Sequence, residues 1–355
     1  RGGVNTTNPV DAAKFRLPGS ELKEVLIPVE AFNVSVGLTD NLSMDAFYQF
    51  NFKETAVDPV GTFFSETDLF ADGGSTAYIS NAKLATPISL YNGVAAGGFG
   101  AGVLTAAKNS GLYGGAGGRN FAQGSLLRVA EIGSDSNAKD DGQFGTSFKY
   151  IAENLNSTEF GAYFVNYHAK EPTIGADLNG YKGVDVAALT GAVCATGTVP
   201  GNCGSAPSIA GAGQLAGGMA TVDILGNTVA RREYAEDVRM LGLSFNTTVN
   251  ETSVFGELAY RPNNPIGIAT TNDLVGDLAA QGAQLADTST ATGPKHGTAV
   301  ISGQTVSKNS QIHNAVRVET FNSSLGAIQN FGPALGFDSL FGVAELASEH
   351  DRGDS

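Results

Sequence analysis

The sequence predicts an all-β protein: an antiparallel transmembrane β-barrel interrupted by long glycine-rich loops. Three observations carry this. Several segments of about ten residues alternate apolar and polar side chains with period two, the pattern of strands with one face in lipid and the other in a lumen. Charged residues stand at alternate positions inside those same segments, where a lipid-facing Arg or Lys costs roughly 2 to 4 kcal/mol at the bilayer midplane. The composition, 42% hydrophobic over 355 residues with a mean hydropathy of -0.03, is too polar for a bundle of membrane helices, whereas the two faces of a barrel cancel in such an average. Read from the residues alone, a soluble acidic β-protein is an equally open alternative. The net charge of -14 argues against nucleic acid, whose phosphates need a basic surface.

In chain order, residues 1–20 are polar, hold Pro9 and Pro18 and show no period, so they read as an ordered loop leading to a short apolar run at 25–29. A hairpin follows. Phe32, Val34, Val36 and Leu38 alternate with Asn33, Ser35 and Gly37, and after Asp40-Asn41 the residues Leu42, Met44, Ala46, Tyr48, Phe50 and Phe52 continue against Ser43, Asp45, Gln49, Asn51 and Lys53. A two-residue loop would join opposite faces, so parity calls for an odd loop such as Asp40 to Leu42. The second arm, about a dozen residues, is long enough for a tilted membrane crossing.

Between residues 56 and 141 the period disappears and glycine takes over, which predicts a long loop insertion. The stretch 84–107 has no charge and must be tested as a membrane helix, but Pro87, Gly93, Gly97, Gly98, Gly100 and Gly102 reject it, since an interior glycine costs about 1 kcal/mol of helix and proline about 3. Residues 93–124 carry Phe99, Leu112, Tyr113 and Phe121 among glycines. That mix is too apolar for a solvated loop and too glycine-rich for a helix or strand of its own, so it is expected to lie on the barrel mouth as a gate; packing outside against other loops is the alternative.

Pairing resumes at Phe144, Thr146, Phe148 and Tyr150, with a second arm from Thr158 to His168 whose facing is ambiguous, because Phe160, Ala162 and Phe164 compete with Tyr163, Val165 and Tyr167. Residues 174–230 read as a second long loop insertion. It holds both cysteines, Cys194 and Cys203, which enclose eight residues in a flexible stretch; a disulfide is favoured over two free thiols in an oxidised periplasmic setting. The clearest hairpin is residues 234–265. Leu241, Leu243 and Phe245 alternate with Ser244 on one arm, and Val254, Leu258 and Tyr260 alternate with Glu257 and Arg261 on the other. A loop at 248–251 would set Phe245 against Val254. Further on, Leu274, Leu278 and Leu285 suggest a short amphipathic helix within residues 272–286, and strands are expected at 312–323, with Arg317 and Glu319 alternating with valines, and at 339–347. This makes about eight recognisable strands in one barrel domain over residues 1–355.

The hairpin's YAEDVRMLGLSFNT and GELAYRPNNP, together with NPVDAAKFRLPGSELKEVLIPV, VGLTDNLSMDAFYQFNFKETAVDPVGTFFSETD, GAYFVNYHAKEP and FGPALGFDSLFGVAE in the same order, resemble the DUF1302 family of Gram-negative proteins. The resemblance implies a bacterial outer-membrane barrel that passes hydrophobic or amphipathic small molecules. It also implies a longer typical chain with more strands, and partners such as a periplasmic lipoprotein and an inner-membrane exporter of the resistance-nodulation-division (RND) type. A general porin for polar solutes and a structural barrel without transport are the competing readings. In keeping with a longer parent, Arg1 does not open a positively charged segment with an apolar run, so any secretory signal is expected to have been removed or left out, and the closing SEHDRGDS is polar where a last barrel strand is expected to be apolar.

Chemistry is hard to find. There is no G-x-S-x-G, Walker, H-E-x-x-H or C-x-x-C pattern, so no enzyme, cofactor or metal is expected. The acidic run 135–141 lacks the glycine and glutamate spacing of an EF-hand loop, and Arg352-Gly353-Asp354 is read as a chance tripeptide. Asp45, Gln49, Lys53, Ser244, Glu257, Arg261, Arg317 and Glu319 are the candidate lumen-lining residues, with an internal salt-bridge lattice as the bland account of their charges.

Overall fold

The computed structural model describes residues 8–63, 71–74, 76–114, 122–178, 180–267, 274–290, 296–334 and 336–353. Its principal element is an antiparallel sheet of eight strands: β1 (Ala31–Thr39), β2 (Leu42–Gln49), β3 (Gln143–Ala152), β4 (Thr158–Tyr167), β5 (Val238–Val249), β6 (Thr252–Gly267), β7 (Ala315–Ala334) and β8 (Phe337–Arg352). Each pairs with its neighbour in chain order. These are the eight arms that period two marks out. β1 and β8 are the edges, and among the described residues the sheet does not close on itself.

Parity holds except at the start of β7, while partners and turns differ from expectation. Asp40 and Asn41 do form a two-residue turn, and a register irregularity between Gly37 and Thr39 leaves Leu38 unpaired, so Val36 still faces Met44. A bulge, which adds one residue to one strand, does the work assigned to an odd loop. In the second hairpin Val249 pairs with Thr252, leaving only Asn250 and Glu251 in the turn, with Asn250 in the left-handed region at φ 55°. The shift relative to the expected loop is two residues. Every side chain therefore keeps its face and changes its partner: Phe245 lies over Gly256 instead of facing Val254, and Ser244 faces Glu257. β2 ends at Gln49, shorter than a dozen residues, whereas β7 runs for 20 and β8 for 16.

The glycine-rich insertions are folded, which corrects the expectation of long loops at 56–141 and 174–230. Three excursions leave the same end of the sheet, after β2, β4 and β6, and together build one α/β unit. Its helices are α1 (Ala85–Ala95), α2 (Ala101–Asn109), α3 (Val186–Cys194), α4 (Ala206–Asn227) and α5 (Gly276–Ala286). A small sheet joins the strands Gln311–His313, Thr173–Asp177, Val229–Glu233, Leu126–Ile132 and Thr76–Ser80. Leu84 to Ala107 is indeed not one helix: Gly97 and Gly100, at φ 75° and 91°, break it into α1 and α2. The helix foreseen within 272–286 is α5, with Leu274, Leu278 and Leu285 buried. No described helix is long and apolar enough to cross a membrane, which says nothing of strands.

This unit holds the larger hydrophobic core. Tyr91 and Leu112 from the first excursion, Leu189, Met219 and Leu225 from the second, and Leu285, Ile301 and Ile312 from the third are all at most 1% exposed. The second half of α4, from Met219 to Gly226, is buried on every side, Asp223 included, while its first turns are exposed. Ser205 caps it reciprocally with Ser208, and its glycines admit neighbours: a Cβ on Gly218 would meet Pro87 of α1 at 2.4 Å, and one on Gly217 would meet Ala283 of α5 at 3.3 Å. Cys194, the last residue of α3, is bonded to Cys203 in the turn before α4. Asp135 from the acidic run is clamped by Arg232, which also reaches Asp72 at 2.6 Å.

Candidate functional site

Register places the side chains of the eight-stranded sheet on two chemically distinct faces. One carries Phe32, Tyr48, Phe144, Phe148, Tyr150, Phe160, Leu241, Leu243, Leu258, Leu325 and Leu346, opposite or diagonal to one another across the ladder. All are exposed, Leu243 at 58% and Leu346 at 75%. The other face carries Ser35, Asp45, Ser147, Lys149, Tyr163, Ser244, Glu257, Arg261, Asn322 and Glu349. β4 shows how side-chain chemistry sorts an ambiguous pattern. Phe160 and Phe164 lie on the apolar face, while Tyr163 and Tyr167 lie on the polar one, where their hydroxyls meet the Ser244 hydroxyl at 3.0 Å and accept from Arg261 Nε at 3.1 Å. Both half-buried hydroxyls thus meet polar partners on that face.

On the polar face Asp45 accepts from Ser35 Oγ at 2.5 Å and lies 3.8 Å from Lys149 Nζ. Across the sheet, Arg261 is only 8% exposed and donates Nη1 to Asn322 Oδ1 at 2.6 Å. A guanidinium this covered is tolerable because its donors are met. Beside it an open groove of about 1110 Å³ runs over β6, β7 and β8, lined by Arg261, Glu257, Glu345, Glu349, Phe255 and Ile328 among others. Asp45, Ser244, Glu257 and Arg261 thus share the polar face.

The remaining candidates fall elsewhere. Gln49 points the same way but is 2% exposed, closed off where sheet and α/β unit meet. Lys53 lies beyond β2 and donates to Pro28 O at 3.0 Å. Arg317 and Glu319 are on the opposite face from Arg261: Tyr260 and Phe321 stack there with centroids 4.7 Å apart, and Tyr260 donates its hydroxyl to Glu319 at 3.0 Å. Arg317 donates to the Glu236 carbonyl at 2.7 Å. Both sit among the first residues of β7 near the α/β unit, at or beyond the register shift between Arg261 and Asn264. Among the gate residues, Phe99 is 37% exposed, but Leu112 and Tyr113 are 1% and 3% exposed inside the α/β core. Tyr113 N–H, with the Tyr91 and Tyr181 hydroxyls, donates to Asp223 at 3.1, 2.8 and 2.9 Å. Phe121 lies outside the described residues. The stretch is part of a structural core, since α1 packs on α4 and α2 on α3. Asp223, which no sequence pattern singles out, has its carboxyl pushed up by burial, against the hydrogen bonds of the two tyrosines.

Where the two units meet, the most distinctive sequence segments converge. Asp237, at φ 54°, donates its N–H to His168 Nδ1 at 3.0 Å and accepts from Asn166 Nδ2 at 3.0 Å and Lys139 Nζ at 2.9 Å; the lysine hydrogen bond first, then that of Asn166, holds its carboxyl below the usual range. His168 Nε2 completes the ring by donating to Asp141 O at 2.7 Å. Lys170, 8% exposed, donates to Gln143 Oε1 at 2.5 Å and lies 4.9 Å from the Phe52 ring centre. Burial pushes its ammonium down to about 8. These groups fasten the unit to the sheet rather than face a solute.

A family model described as a protein of unknown function, DUF1302, matches residues 1–353. Neither a curated protein nor a solved structure matches the chain.

Proposed function

We propose that this chain, which belongs to the DUF1302 family, forms the wall of an outer-membrane β-barrel through which small molecules pass, and that the passage is polar. The observation supporting this is the division of one sheet into two faces. Leu243, Leu258, Leu325 and Leu346 are between 46% and 75% exposed on the same side as exposed phenylalanines, a patch that water would not favour and lipid would. Aromatic and aliphatic side chains are mixed on this face: Tyr150, Phe160, Phe245, Leu325 and Leu346 follow one line across the ladder. Along β3, Phe144 and Tyr150 are six residues apart, about 20 Å at some 3.3 Å per residue, close to the roughly 25 Å apolar band of such barrels.

The solute class follows from where apolar hollows lie. One of about 480 Å³ is lined by Phe148, Tyr150, Phe160, Leu243, Phe245 and Leu258, residues of the lipid side, so it suits an acyl chain of the bilayer. The large groove is on the opposite, charged face. That favours polar solutes over hydrophobic ones and moves the porin alternative ahead of the reading drawn from family resemblance. Short turns join the strands at one end and the α/β unit leaves from the other; long connections of bacterial barrels are extracellular, which makes the unit an external cap.

The test is solute-driven swelling of liposomes holding the full-length protein. Swelling with neutral sugars of monosaccharide size, above the rate of empty vesicles, is expected. A protein that inserts and resists heat as a folded band, yet admits no sugar, would refute the passage.

A further inference from the structure

Resting on the passage proposed above, we infer that it prefers cations to anions, and that Glu257, Glu345 and Glu349 are the residues that determine the preference. The charges of the polar face are unevenly spread. On the side of β1 to β3, Asp45 lies 3.8 Å from Lys149 and accepts a hydrogen bond from Ser35, so the two charges largely cancel for a passing ion. On the side of β6 to β8, the groove is lined by Glu171, Glu257, Glu345 and Glu349 against the single guanidinium of Arg261. Among the described residues neither Glu257 nor Glu345 has an ion-pair partner, and Glu349 accepts a neutral amide hydrogen bond from Asn322 Nδ2 at 2.5 Å. Arg261 is 8% exposed, with Nε and Nη1 turned to Tyr167 and Asn322. The carboxylates are therefore more available to a solute than the guanidinium is.

The groove is an open channel wall and not a closed binding pocket, so its carboxylates act through the field they set up. In a confined aqueous path with low-dielectric walls, one sign of charge raises the local concentration of counter-ions and excludes co-ions, and rings of Asp or Glu are the general device of cation-selective pores. Neighbouring carboxylates on β6 and β8 also share the two intervening β7 residues Ser324 and Asn322 as neutral spacers. Small inorganic cations and amines of similar size are the class that fits; phosphates, carboxylates and other small anions are the class turned away.

The reversal potential of the full-length protein in planar bilayers under a potassium chloride gradient reads this out. Potassium is expected to permeate severalfold better than chloride, and the ratio should fall toward one in Glu257→Gln/Glu345→Gln/Glu349→Gln with conductance retained. Glu345 is exposed on an edge strand, so Glu345→Gln alone is a milder variant that should lower the ratio partway if the triple variant folds poorly. A natural protein that conducts without preference or prefers chloride overturns the inference and leaves the passage intact, as does a conducting variant with unchanged preference. Folded protein without conductance overturns the passage itself and this inference with it.

Discussion

Replacing Leu243 by arginine separates a lipid-facing strand from a water-facing one more sharply than any substitution at a buried site. Leu243 is 58% exposed, between Ala162 and Leu258 on its two neighbouring strands, so in the isolated molecule the new side chain would clash with nothing. If the apolar face met water, Leu243→Arg should change stability by no more than about 0.5 kcal/mol, as surface substitutions do. If the face meets the middle of a bilayer, the same change costs about 2 to 4 kcal/mol. The neighbouring Ser244→Arg is the internal control: it lies opposite Glu257 on the polar face, and an arginine there gains a carboxylate, for a net effect within about 1 kcal/mol. The two variants should therefore differ by roughly 30-fold to 1000-fold in folding equilibrium, at about 1.4 kcal/mol per factor of ten. Urea-titrated folding into phosphatidylcholine vesicles, read by the gel mobility of unheated samples, measures this. Two variants equal to within 0.5 kcal/mol would refute the assignment of faces.

Lys170 predicts a pH dependence. Its folded value, about 8, lies below the usual lysine value near 10.4, so between these limits the unfolded chain holds a proton that the folded protein has released. Stability rises with pH across that window, by about 2 kcal/mol after allowance for residual solvent; thermal melting should show the rise, and Lys170→Met should abolish it. The Cys194–Cys203 bond should yield no free thiol at either residue under non-reducing mass mapping. Its reduction should cost the α/β unit about 2 to 3 kcal/mol by loop entropy, leaving the heat resistance of the sheet unchanged; equal loss in both units would contradict their having separate cores.

The eight-stranded sheet was legible because period two is a local property: each arm announces its own faces, as Phe144, Phe148 and Tyr150 do against Lys149. Partner choice was not, since a slip of two residues leaves every face as it was; Asn250-Glu251 and the unpaired Leu38 settle it through turn and bulge geometry that alternation does not encode. Arg317 and Glu319 were assigned inward on the cost of charge in lipid. The structure puts both on the other face, at the first residues of β7, where Tyr260 and backbone carbonyls supply partners. The α/β unit was the largest miss. Its central helix, Ala206 to Asn227, carries Gly211, Gly213, Gly217 and Gly218, each unfavourable in an isolated helix. For Gly218 and Gly217 the offset is close contact with Pro87 and Ala283, contributed by chain more than a hundred residues upstream and more than sixty downstream. No window of sequence contains both the glycine and its neighbour. Asp223 was hidden for the same reason: its tyrosines come from two other segments.

Thiol accessibility in intact outer membranes bears most directly on whether one face of this sheet meets lipid and the other a polar passage. The described chain has no free cysteine to confuse the signal. Single cysteines at Ser244, Glu257 and Asn322 should react with a charged, membrane-impermeant maleimide, and those at Leu243, Leu258 and Leu325 should stay unlabelled until the membrane is dissolved. Prompt labelling at Leu243, or none at Ser244 and Glu257 in folded protein, would contradict the account.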